Sequence, residues 1–184
     1  MKEAKPKLVN FRIIACHEGQ PLPEAYQILQ EVRQSYHGET RAARVALAWR
    51  LRQKEDKDGH MVLGRCIKVS DLHKEFADYD FIITLNQEVW DDIRFTREKK
   101  LALIDHEMCH AAASFDEESG EHKRDERNRL LFRVRKHDIE EFQDVVSRHG
   151  CYKRDLENFA KALLQKKSAP LFDQDQTTVT VRVQ

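Results

Sequence analysis

The residues best equipped for chemistry lie together at His106-Glu107-Met108-Cys109-His110. Two histidines four apart on a helix project from one side, so both imidazoles can hold one metal ion. Glu107 points about 100° round the helix from His106. From there it reaches a water held by the metal rather than the metal itself. Zinc lowers the pKa of such a water toward neutrality, and Glu107 can take its proton as it attacks a polarised carbonyl. The chemistry is therefore hydrolysis at Zn2+, with His106 and His110 as ligands and Glu107 as general base. The surroundings agree: Leu101, Leu103, Ile104, Met108 and the alanines 111–113 predict a buried helix from about Arg97 to Ala113. Polar groups inside such a helix need partners, and a metal supplies one.

A catalytic zinc takes three protein ligands and keeps one position open. An extended metzincin pattern would put glycine and histidine at positions 113 and 116, where this chain has Ala113 and Asp116. Better candidates come from a second helix predicted to open at His137-Asp138. Its buried face is Ile139, Phe142, Val145 and Val146. Glu141 lies near the edge of that face, and Glu140 points away from it. His137, just before the first turn, can swing toward a neighbouring helix. The order of candidates is His137, then Glu141, then Glu140 and Asp116.

The elements that must position these groups follow an α+β order. Apolar residues at helical spacing (Leu22, Ala25, Ile28, Leu29, Val32) predict a helix over Pro21–Tyr36, stopped at His37-Gly38. Arg44–Leu51 alternates as a strand, and the charged stretch from Lys54 to Gly59 reads as a hairpin turn into a second strand, Met61–Val69. Ser70–Asp78 is a short helical or irregular link, and Phe81–Leu85 a buried strand. Asn86 and Thr96 are placed to cap following helices. Residues 114–129 are almost wholly polar and predict a mobile loop, followed by a strand at Leu130–Val134. A last helix runs from about Asp155 to Gln165, with a flexible tail from Ser168. Cys109 reads as a small buried core residue, and Trp49 and Trp90 as core rather than stacking platforms.

The 184-residue chain has 32 Lys plus Arg against 32 Asp plus Glu. That balance argues against a generic polyanion binder. A basic stretch, Lys123 to Lys136, could steer nucleic acid or an acidic substrate, but Glu117, Glu118, Glu121, Asp125 and Glu126 interleave with it, so it reads as a solvated loop. No apolar run approaches the roughly 20 residues of a membrane span. The four cysteines (Cys16, Cys66, Cys109, Cys151) form no CxxC pair and read as reduced thiols, which points to the cytoplasm.

Several segments together resemble the putative phage metallopeptidase family. They are Tyr79-Asp80-Phe81-Ile82-Ile83, Trp90, Leu103-Ile104-Asp105 with the His-Glu motif, His137-Asp138-Ile139-Glu140-Glu141-Phe142, and Arg148-His149-Gly150. The resemblance runs from about Ala43 to Tyr152. More distantly the chain is similar to SprT-like proteases, where a downstream histidine serves as third ligand; His137 matches that role, with Asp138 in place of their following glycine. The resemblance implies a zincin-like α+β domain, with a short, mostly antiparallel sheet and a buried HExxH helix packed against a second helix. The expected organisation is an N-terminal extension with a helix (1–40), a metallopeptidase-like core (41–152), and a C-terminal helix with a flexible tail (153–184). It also implies a protein or peptide substrate, and the host cell's cytoplasm if the chain is phage-encoded. The alternatives are a SprT-like protease associated with DNA and a non-catalytic partner-binding protein stabilised by its metal.

Overall fold

A computed structural model describes residues 10–57, 59–140 and 143–165. They divide into two compact units, Met1–Lys136 and His137–Gln184. The first contains a four-stranded sheet of β1 (Phe11–Ile13), β2 (Val45–Arg50), β3 (Gly64–Lys68) and β4 (Phe81–Asn86), in the order β1-β2-β4-β3. β1 runs antiparallel to β2, β2 parallel to β4, and β3 antiparallel to β4. Two of the three pairings are thus antiparallel, within an α+β fold.

The expected hairpin from β2 into β3 does not form. The tight turn is present, since the Asp56 and His60 backbones are hydrogen-bonded at 2.9 Å, but β4 lies between the two strands. The reason is burial. Phe81, Ile83 and Leu85 on one face are fully buried and Thr84 and Asn86 on the other are buried too, so β4 is covered on both faces and takes a central place. β3 carries Arg65 and Lys68 and suits an edge.

α1 (Glu24–Tyr36) forms where its periodicity predicts, and the four apolar residues of its inner face (Ala25, Ile28, Leu29, Val32) are all buried. It packs against α4 (Arg97–Cys109), the helix that carries the motif. Between them run two short helices, α2 (Asp71–Lys74) and α3 (Gln87–Trp90). Ser70 caps α2, and Asn86 caps α3 by accepting from the Val89 N–H at 3.3 Å. Thr96 occupies the corresponding place before α4 without capping it; its side chain bonds Glu98 instead. Trp90 is buried with its ring centroid 5.7 Å from that of the half-buried Trp49, as core aromatics.

One ion pair underpins the sheet. The carboxylate of Asp80, immediately before β4, is 4 % exposed; it accepts from the Arg44 N–H at 2.9 Å and meets the buried Lys74 ammonium at 2.9 Å. Burial alone would raise its pKa, but the hydrogen bond from Arg44 and the charge of Lys74 hold it below the ordinary range. A depressed folded-state pKa gives stability that is present at neutral pH and lost as pH falls through that value. Asp80→Ala leaves the Lys74 charge buried alone and is expected to cost about 3–5 kcal/mol, read as a lower urea midpoint at an unchanged m-value.

Residues 114–129, expected as a mobile loop, are folded into two tight turns. Asp116 accepts from the N–H groups of Glu118 and Ser119, and Asp125 from those of Arg127 and Arg129. Each aspartate closes its own turn, a local signal that polar composition hides. The basic side chains here spend their charge on nearby acids: Arg127 pairs with Glu75, and Arg129 with Asp125 and Glu75. β5 (Ala111–Ala113) and β6 (Phe132–Val134) pair antiparallel.

The second unit contains α5 (Gln143–His149) and α6 (Arg154–Gln165). The helix expected to open at His137 does not. Residues 137–140 are irregular, and α5 begins at Gln143. His, Asp and β-branched Ile have poor helix propensity, which apolar spacing alone does not reflect. The tail from Ser168 lies outside the described residues.

Candidate metal centre

The motif sits at the C-terminal end of α4. Helix geometry ends at Cys109, and His110 caps it while still in the right-handed helical conformation. The expected continuation through Ala113 is replaced by β5, yet the four-residue relation of the histidines survives. Their ring centroids are 5.1 Å apart at an interplanar angle of 84°, with one nitrogen of each ring within 4.8 Å of the other. α4 is buried along Ile104, Glu107 and Met108, and His106 lies exposed.

Backbone contacts fix the His110 ring. The Arg135 N–H donates to the His110 carbonyl at 2.8 Å, and His110 Nδ1 lies 2.7 Å from the Arg135 carbonyl oxygen. A carbonyl only accepts, so Nδ1 carries the hydrogen and Nε2 keeps its lone pair for a metal. A second hydrogen bond of this kind is what orients a metal-binding histidine. The donor set therefore fits a metal ion.

Glu107 is 3 % exposed. Burial pushes its pKa up, opposed by the charge of His110, a hydrogen bond from the Cys66 N–H on β3, and Arg65; the net effect is upward. A raised carboxylate pKa makes it a better proton acceptor near neutrality. Cys66, partly buried beside it, has its thiol pushed up to about 12 by burial and by the Glu107 charge, and stays a neutral thiol.

Gly64 makes room for this carboxylate. A Cβ at position 64 would lie 2.6 Å from Glu107 Oε1 and 3.0 Å from its Cγ and Cδ. Sequence reasoning missed Gly64; the available signal was a lone glycine inside a predicted strand, which marks a close approach. Gly64→Ala is expected to displace the Glu107 carboxylate and lower turnover roughly tenfold or more, with metal content unchanged. Kinetics alongside metal analysis of the same preparation check it.

Asp116 is engaged in its turn, where the N–H groups of Ser119 and Glu118 hold its pKa below the ordinary range. His137 and Glu140 lie exposed in the irregular start of the second unit. Glu141 lies outside the described residues. Cys109, expected in the core, is exposed. It falls on the opposite side of α4 from the Ile104, Glu107 and Met108 stripe, so helix phase overrides its apolar neighbours.

No helix among the described residues is long and apolar enough to cross a membrane. Comparison with curated proteins and with solved structures gives no match. A family model, described as putative phage metallopeptidase, matches residues 20–164. The match extends beyond Ala43–Tyr152 at both ends, taking in α1 and nearly all of α6. With well over half its length matched and the paired histidines beside a buried glutamate, the chain belongs to the putative phage metallopeptidase family.

Proposed function

We propose that this chain hydrolyses peptide bonds in protein or peptide substrates, using zinc held by His106, His110 and His137 with Glu107 as general base. The observation that carries this reading is the His110 ring. Its Nδ1–H is committed to the Arg135 carbonyl, which leaves Nε2 beside His106 for a metal, while the next-door Glu107 is buried and proton-hungry. Imidazole donors of this spacing suit zinc.

When bound, zinc supplies Lewis acidity, acidifying water and polarising a carbonyl. The chain's own groups do the rest. Glu107 accepts the proton from the attacking water and can return it to the leaving nitrogen. The Cys66 N–H holds that carboxylate in place, and Gly64 gives it space. β3 is an edge of its sheet, so an extended peptide adding to this strand would run past Glu107.

The test is cleavage of a labelled denatured protein by the purified full chain. Chelation is expected to abolish cleavage and zinc to restore it. Cleavage that persists after elemental analysis shows the metal gone would overturn the reading.

A further inference from the structure

We infer that α4 carries a second transition-metal site, built from His37, Asp105 and Cys109 and separate from the His106–His110 pair. Asp105 and Cys109 are four apart and share a face of α4, displaced by about 100° from the face of the two motif histidines. His37 caps the C-terminal end of α1, which packs against α4. Its Nε2 lies 2.7 Å from Asp105 Oδ1, and one ligand atom from each of His37, Asp105 and Cys109 lies within 4.8 Å of the other two. The group opens on a cavity of about 620 Å³, lined also by Thr40, Arg133 and Arg135.

The chemistry of the three donors selects the ion. An imidazole nitrogen, a carboxylate oxygen and a thiolate sulfur suit zinc or cobalt, whereas magnesium and calcium demand oxygen ligands. With bonds of about 2.0 Å to nitrogen and oxygen and 2.3 Å to sulfur, a tetrahedral ion needs donors roughly 3.3–3.7 Å apart. The His37–Asp105 hydrogen bond must open to admit the ion between its two ends, and side-chain rotation at the exposed Cys109 brings the sulfur in. Three ligands leave one position facing the cavity. The His37–Asp105 contact alone is a hydrogen bond between neighbouring helices; the sulfur placed against it makes the cluster a ligand set. The peptidase reading makes no use of these residues.

Cobalt titration of the metal-free full chain tests this, because the two sites differ in sulfur. The His106–His110 site has no thiolate, so a near-ultraviolet thiolate-to-cobalt charge-transfer band reports the second site alone. We expect about two cobalt equivalents, with the band present. Cys109→Ser and Asp105→Asn should each remove the band and one equivalent while leaving the visible cobalt spectrum of the other site. The double variant His106→Ala/His110→Ala should retain the band. Cys109 is exposed, so its serine variant keeps the fold, and circular dichroism verifies this. Absence of the band in the parent, or its survival in Cys109→Ser, overturns the proposal without touching the peptidase reading, which chelation and restoration test separately.

Discussion

Glu107→Gln is expected to keep its zinc and to lose about two or more orders of magnitude in peptide hydrolysis, the scale of a missing general base. The variant is nearly isosteric. A glutamine oxygen can still accept from the Cys66 N–H, so the link between α4 and β3 persists. What disappears is a carboxylate that burial has made eager for a proton. Removing a charge from a site 3 % exposed also removes its desolvation cost, so thermal stability should hold or rise. The combination of full metal content, unchanged or higher Tm and collapsed turnover separates a proton acceptor from a ligand or a structural carboxylate. His106→Ala and His110→Ala should instead lose both metal and activity. A Glu107→Gln enzyme as fast as the parent would remove this residue from the chemistry.

What the sequence made legible was local. The inner face of α1 shows in its spacing because helix phase relates residues only three and four apart. The motif is legible for the same reason: His106 and His110 share a face whatever the rest of the chain does. β4 shows as an apolar run, but its central place does not. That depends on Phe81, Ile83 and Leu85 competing with β3 for cover, a comparison between segments far apart in the chain. The parts of the site that set chemical properties are likewise non-local. Gly64 meets Glu107 across the gap between β3 and α4, and His37 meets Asp105 68 residues away. The ring of His110 is fixed by a backbone carbonyl, which no residue type announces. Spacing can propose a metal ligand, but the tautomer that makes it one is set by tertiary contacts.

For the third ligand, His137→Ala is expected to weaken zinc binding by several orders of magnitude, and Glu141→Gln by roughly 10–100-fold, as for a supporting hydrogen-bond partner. No helix opens at His137, since residues 137–140 are irregular. The constraint on its reach comes from the chain before it. Arg135 is bonded to His110 in both directions, N–H to carbonyl and carbonyl to Nδ1, so the backbone two residues ahead of position 137 is anchored to a motif histidine. Two residues span at most about 7 Å, and a histidine side chain adds further reach. Glu141 lies four residues further along the chain. Competition for zinc against a chromophoric chelator measures both variants directly, and a parent-like far-ultraviolet spectrum shows that neither has unfolded. Near-parent affinity in His137→Ala beside a large loss in Glu141→Gln would make this a two-histidine, one-carboxylate centre. The residue replacing His137 would then be a carboxylate, whose negative charge makes the bound ion a weaker Lewis acid than a third neutral imidazole would.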